Sequence, residues 1–297
     1  MKHPIGLLKK RAQYLFSLFL VLTATACGAA GEQDANTKTA DNTLQLIRNA
    51  TVKLDYAGKT ILVDPMLSGK GELISIIGVN KNPTVHLTMP VEDVMADVDF
   101  VLATHSHFDH FDRAAATAMA DTLMLYIQPA DSAVYYKDYG LKNTKVINDM
   151  TKEGTVAIHR TSGQHGRGQL KEMMGEVSGF VLQAEGCPTV YIVGDCLWTD
   201  EIKANIEKYQ PDWVVINAGG AIVPELSPEL GSILMNENDV VAMIKDTPAK
   251  CRFIAVHLEA VDHAQTTRSI LRNEADHAGI SKDKLIIPAD GEIIDLK

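Results

Sequence analysis

The stretch "THSHFDHFD", Thr104 to Asp112, follows directly on the apolar run "VDFVLA", Val98 to Ala103. Its reading decides the fold. Three histidines and two aspartates fall within nine residues. On an extended segment, residues two apart point the same way, so His105 and His107 aim two imidazoles at one position. Asp109 and His110 lie on the following turn and face a second position beside it. Imidazole and carboxylate without thiolate make a donor set for zinc, and also for manganese or iron. Asp112 stands before "RAAATAMA" and reads as the N-cap of a helix rather than a ligand.

Outward from this stretch, strands and helices alternate. "ATVKLDYAGKTILVDP" reads as two strands joined at Ala57-Gly58, a hairpin that opens the domain. "LMLYI", "TVAIHRT", "GFVLQAE", "TVYIVGD", "WVVINA", "CRFIAVH" and "KLIIP" read as further strands. "DRAAATAMAD", "SAVYYKDYG" with Gly140 as its stop, "TDEIKANIEKY" with Thr199 as N-cap, "ENDVVAMIKD" and "TTRSILRNEADHAG" read as helices. The order predicts an α/β chain of sheets with helices outside. Periodicity alone does not choose between a doubly wound sheet and two packed mixed sheets. The polar clusters sit at strand ends: His105 after "VLAT", His165 after "TVAIHRT", Asp195 after "YIVG" and His257 after "FIAV". Loops there are where scaffolded sites are built.

"THSHFDHFD", with "TILVDP" upstream and "YIVGD" and "INAGG" downstream, resembles the metallo-β-lactamase fold superfamily, in particular its ascorbate-6-phosphate lactonase-like branch. The resemblance runs from about Leu44 onward. It implies a four-layer αββα sandwich of two mixed β-sheets with outer helices, and a two-metal site along one edge. Carried over, His105, His107 and His165 hold the first metal. Asp109, His110 and His257 hold the second, and Asp195 bridges the two. His159 competes with His165 but lies inside a strand pattern; His263 competes with His257, which caps a clean apolar strand. Asp64 is either a carboxylate that orients ligands or a turn residue before Pro65. Asn217 polarises substrate or shapes a turn. Two divalent metals, zinc first and manganese or iron as alternatives, would hold a bridging hydroxide, with Asp109 orienting it and His263 as general acid.

Three long segments stand to line a substrate pocket. "SGKGELISIIGVNKNP" offers Leu73, Ile74, Ile76 and Ile77 as an apolar lip, and "GQHGRGQLKEMMG" offers Arg167, Lys171 and two methionines. "GGAIVPELSPELG" is the third. Arg167 and Lys171 would meet an anionic substrate.

The first 27 residues have a basic head, the short apolar run Tyr14 to Leu22, and small residues before Cys27. That is a secretory signal, too short to span a bilayer, and it resembles a bacterial lipoprotein cleavage box. Cys27 is then lipidated and the protein is tethered in the periplasm or cell envelope; the alternative is an ordinary cleaved signal. Residues 28–43 carry too little apolar surface to fold and read as a flexible tether. Residues 44–297 form the hydrolase-like domain. Losing the signal removes Lys2, Lys9, Lys10 and Arg11 and no acid, leaving 24 basic against 38 acidic residues, a net charge of −14. Such a surface disfavours nucleic acid as a partner. Beyond Cys27 only Cys187, Cys196 and Cys251 remain, an odd count that gives no disulfide framework, although a Cys187–Cys196 bridge is open.

The leading expectation is a metal-dependent hydrolase of a small ester, lactone or amide. A phosphodiesterase of the phospholipase D type, acting on lipid or small phosphodiesters, is the second. A tethered metal-binding protein without turnover is the third. A redox di-iron enzyme is disfavoured by His107, where redox members of the superfamily commonly carry glutamate.

Overall fold

The computed structural model describes residues 42–297. The expected signal and nearly all of the expected tether lie outside them. Among the described residues, no helix is long and apolar enough to cross a membrane.

The first half of the chain builds one sheet. It contains β1 (Thr43–Arg48), β2 (Thr51–Tyr56), β3 (Lys59–Val63), β4 (Phe100–Leu102), β5 (Met124–Ile127) and β6 (Thr144–Val146). The second half builds the other from β7 (Met150–Glu153), β8 (Val156–Ser162), β9 (Ser178–Gln183), β10 (Val190–Ile192), β11 (Trp213–Asn217), β12 (Arg252–Val256) and β13 (Leu285–Ile286). The last strand, β14 (Ile293–Asp295), returns to the first sheet and pairs antiparallel with β1, Thr43 opposite Asp295. Strand order is β14-β1-β2-β3-β4-β5-β6 in one sheet and β13-β12-β11-β10-β9-β8-β7 in the other. Both sheets mix antiparallel and parallel pairs.

The strand pattern explains the layering. Along β2, Val52, Leu54 and Tyr56 enter the core between the sheets, while Lys53 and Asp55 face away. Along β12, Ile254 and Val256 join that inner core, and Phe253 and Ala255 join the core on the outer face. Such strands need cover on both sides, and the helices supply it. On the first sheet these are α1 (Val91–Met95), α2 (Arg113–Met119) and α3 (Ser132–Lys137), which bring Val94, Met119 and Tyr135 to Leu62, Val101 and Leu125. The short helices α4 (Gln169–Met174) and α6 (Ser227–Leu230) lie in loops of the second half. On the second sheet, α5 (Asp200–Tyr209), α7 (Glu237–Asp246) and α8 (Arg268–His277) bring Ile202, Met243 and Leu271 to Val214 and Phe253. The result is the four-layer αββα sandwich with two mixed sheets. Each fully buried Leu, Ile or Phe in these layers contributes about 1.5–3 kcal/mol.

Local signals hold where expected. Asp112 caps α2, accepting from the Ala115 amide, and Thr199 caps α5 from the Ile202 amide. Two readings change. The domain opens not on the hairpin but on β1, which precedes it. α3 ends at Lys137, before Gly140. The three cysteines are free thiols, with Cys196 and Cys251 buried.

Candidate metal centre

The parallel strands aim their C-terminal ends at one edge. Thr104 and His105 leave β4 there, Asp64 leaves β3, and His165, Asp195 and His257 follow β8, β10 and β12. All the expected ligands except His107 are buried, His105, His110, His165 and His257 to 1% exposure or less. Three groups lie close enough to share an ion: His105 with His107 and His165, His105 with His110 and Asp195, and Asp109 with His110 and His257. Nearest-approach distances place Asp195 Oδ2 at 3.2 Å from His110 Nε2, 3.6 Å from His165 Nε2 and 3.7 Å from His257 Nε2. It sits between the two expected metal positions.

Hydrogen bonds fix the tautomers. The Thr104 hydroxyl donates to Asp64 Oδ2 at 2.8 Å, so its oxygen accepts from His105 Nδ1 at 3.0 Å. His110 Nδ1 donates to the same carboxylate oxygen at 2.8 Å. His165 Nδ1 donates to the Ile233 carbonyl at 2.8 Å. Each ring therefore turns its Nε2 inward, as a lone pair once the ring is neutral. Buried polar atoms are nearly always satisfied, yet Nε2 of His110 and of His165 has no hydrogen-bond partner. Two ring nitrogens, His105 Nε2 and His107 Nδ1, face each other at 2.9 Å. Orphaned lone pairs converging beside carboxylates are what a cation resolves. The donor set fits metal.

Asp64 is thus no mere turn residue. It ties His105 and His110 together through Thr104, and it holds a positive φ of 47°, unusual for a residue with a Cβ. Asn217 donates to Asp195 Oδ1 at 2.6 Å, fixing the carboxylate rather than facing the cavity. His257 has φ 61°, and its amide donates to the Asn49 carbonyl at 2.8 Å. Gly219 makes room for it, since a Cβ there would lie 2.3 Å from the His257 carbonyl oxygen. His159 lies within β8 against Tyr209, away from the cluster.

Charge follows the same partition. Burial opposes the charge on His110 and His257, but Asp195 with Asp64 and Asp109 for the first, and Asp195 with Asp109 for the second, raise both above the ordinary histidine value. Burial lowers His105 far below that value, with repulsion from His110 and His107, and takes His165 to about 4. Burial alone would lift Asp109 and Asp195; the His110 and His257 charges reverse it and hold both below the carboxylate range. In the metal-free chain these shifts favour a proton on His110 and on His257, where a cation would otherwise sit.

A cavity of about 150 Å³ opens on the cluster at His107, Asp109, His165 and Asp195. Its remaining walls are Ile76, Phe108, Met174, Val223, Ile233 and His263. His263 is 7% exposed, its Nδ1 has no hydrogen-bond partner, and burial keeps its pKa down. Arg167 and Lys171 are a correction. Both are exposed and neither lines the cavity, because α4 turns Leu170 and Met174, four apart on one face, inward instead. A larger groove of about 430 Å³ lies between α8 and residues 282–287. Its arginines are committed, Arg268 to Glu259 and Asp290 and Arg272 to Asp276.

Several supporting residues escaped the sequence reading. Asn49 donates to the Asp109 carbonyl at 3.0 Å, and the Tyr135 hydroxyl to the His105 carbonyl at 3.0 Å. Neither carries a motif. Thr104 and Phe108 lie inside the stretch that does.

Residues 59–258 match the family model described as the Beta-lactamase superfamily domain. The chain belongs to the beta-lactamase superfamily. Within it, the chain stands with the metal-dependent hydrolases. It is 34% identical to the UPF0173 protein YddR of Bacillus subtilis over 83% of this chain and 96% of that one. Further relatives in the superfamily are named UPF0173 metal-dependent hydrolases, one from Rubrobacter xylanophilus being 29% identical over 59% of this chain and 69% of its own length. Two solved structures share the superfamily fold along the described domain. A possible metal-dependent hydrolase from Veillonella parvula superposes with a TM-score of 0.81 at 28% identity, covering 86% of this chain and all of that one. An isothiocyanate hydrolase from Delia radicum gut bacteria superposes at 0.78 with 35% identity, covering 85% and 98%.

Proposed function

We propose that the protein is a dinuclear metal hydrolase, zinc-loaded, of small uncharged substrates with a compact apolar group. One observation carries the substrate class: the cavity at the metal cluster has apolar walls at Ile76, Phe108, Met174, Val223 and Ile233, and no lysine or arginine in its lining. Binding sites of this kind take most of their affinity from apolar contact and their orientation from a few polar groups. A phosphorylated sugar lactone, which the branch-level resemblance implies, finds no cationic side chain there. Neutral esters, lactones and amides fit. So does an isothiocyanate, whose carbon takes up water as a carbonyl carbon does; a structural neighbour at 35% identity is named for that substrate.

His105, His107 and His165 would hold one ion and Asp109, His110 and His257 the other, with Asp195 shared. Bound there, two divalent ions supply Lewis acidity and bring the pKa of a water toward neutrality. The chain does the rest. Asp109, kept ionised, accepts the proton of the attacking water. Asn217 and Asp64 keep Asp195 and the histidine rings in register. His263 offers a neutral imidazole to the departing atom at the cavity wall, and acts as the proton donor. Phe108 and Ile76 keep bulk water from the reacting carbon.

The test is a panel on the purified protein reconstituted with zinc or manganese: neutral short-chain esters, lactones, a small alkyl isothiocyanate, and bis-p-nitrophenyl phosphate. Turnover of neutral substrates, abolished by chelation and by His107→Ala, is the expected result. Phosphodiester turnover alone would transfer the assignment to the phospholipase D type. Tight retention of metal with no turnover of any class would leave a binding protein. The proposal includes export and a lipid tether at Cys27; Cys27→Ser is expected to release the protein from the membrane fraction.

A further inference from the structure

The loop of residues 68–84 carries Ile76 to the cavity, and it exposes more apolar surface than its own contacts can justify. Ile74 is 67% and Val79 69% exposed. A short antiparallel bridge between Leu73 and Asn82 holds it in shape; its two ends are tied to the body at Ser68 and Thr84, and between them the Ile76 and Ile77 amides are held by one carboxylate. Asp262, its side chain fully buried, accepts from the Ser75 hydroxyl, from the Ile76 amide at 3.1 Å, from the Ile77 amide at 3.3 Å and from Asn82 Nδ2 at 3.1 Å. The Asp262 amide donates in return to Asn82 Oδ1 at 2.8 Å. Asn82 is itself fully buried and its Nδ2 also donates to the Ile74 carbonyl at 2.9 Å. The residue after Asp262 is His263, a wall of the same cavity.

We propose that Asp262 and Asn82 form a clasp that fixes Ile76 as the ceiling of the cavity, and that this clasp sets the size of the apolar group the site admits. Four donors converge on one carboxylate, and two are consecutive backbone amides, so the carboxylate dictates the local path of the chain at the residue that touches substrate. Charge-assisted bonds of this kind are the strong ones. Removing the acceptor strands the Ile76 and Ile77 amides, and nothing else on the body replaces it. Another wall is supported differently: Ile233 packs with Leu170, Ala221 and Leu234 in a small core of its own. The ceiling therefore yields before the wall does. Asp262 is a positioning residue, acting through Ile76.

The inference rests on the hydrolase reading for its kinetic consequence but not for its structural one, and the test separates them. Hydrogen–deuterium exchange on the full chain reads the clasp directly. The Ile76 and Ile77 amides are expected to be protected in the wild type and to exchange at least tenfold faster in Asp262→Ala, with β12 unchanged. Asp262→Asn keeps one carbonyl acceptor and should fall between. Unprotected amides in the wild type, or protection indifferent to Asp262→Ala, would overturn the proposal whatever the enzyme does. On the zinc-loaded protein, p-nitrophenyl esters from acetate to octanoate read specificity. Asp262→Ala and Ile76→Ala should both move the preferred chain to longer acids. Asp262→Ala should raise KM for the acetate about tenfold while kcat stays within about threefold, since each 1.4 kcal/mol is tenfold. A fall in kcat with an unchanged chain-length profile would assign Asp262 to catalysis through His263 and defeat the proposal. Absence of turnover by the wild type would remove the hydrolase reading and leave the exchange result standing.

Discussion

The floor and the ceiling of the cavity are built on opposite principles. On the floor, every expected ligand but His107 is buried, and several are tied by a partner that is itself tied: His105 to Thr104, Thr104 to Asp64, Asp64 to His110, Asp195 to Asn217. The ceiling is one isoleucine on a half-exposed loop with one carboxylate behind it. A networked floor holds donor atoms to within fractions of an ångström, which chemistry on an ion demands. A singly clasped ceiling lets the same floor serve new substrates by changes in one loop.

The comparison breaks first at the floor. Asp109→Ala removes a proposed ligand that is also the proposed proton acceptor, and turnover should fall by about 10²–10⁴-fold, checked by steady-state kinetics beside metal content. Asp64→Asn leaves every ligand in place yet unhooks two rings; metal affinity should weaken about 10–100-fold, measured by competition with a chromogenic chelator. If Asp64→Asn bound metal as the wild type does, the floor would be a set of independent ligands rather than a network. Protons sharpen the same point. His110 and His257 have raised pKa values in the metal-free chain, so the stability their charge contributes is full below about pH 6.5 and is lost as pH rises through the raised values. Metal must displace those protons, and affinity should climb with pH by up to about tenfold per unit for each proton released. Calorimetry at pH 7 in two buffers of different ionisation enthalpy counts them. The smallest effect belongs outside both regions. Arg167→Ala, in the loop before α4, and Lys171→Ala, on the helix's exposed face, should leave turnover within about twofold.

The floor was legible in the sequence for a physical reason. Metal ligation needs particular donor atoms at particular spacings, and "THSHFDHFD" crowds them into nine residues; His165, Asp195 and His257 then stand out as polar residues at the ends of apolar strands. Strands buried on both faces announced themselves likewise. The edges did not: β6 and β7 are short and largely exposed, with Val146 and Met150 facing outward. Asn49 and Tyr135 act through backbone carbonyls across the fold, and no spacing along the chain encodes that. Arg167 and Lys171 were misplaced because a glycine-rich loop beside a ligand hid a turn of helix with its own inward face. Asp262 sat unread between two histidines that drew attention as ligands, since its partners lie 180 residues and more upstream.

The pairing of β14 with β1 has a temporal meaning. Ile294 and Leu296 complete the core between the sheets, and the Leu296 carbonyl accepts from the indole of the buried Trp213 at 2.9 Å. The first strand of the described domain thus has its edge covered only when the last one docks. A sheet closed this way is completed late in folding, because contacts so distant in sequence form slowly. That delay is an asset to a protein that must cross a membrane as an open thread, the route proposed for this one.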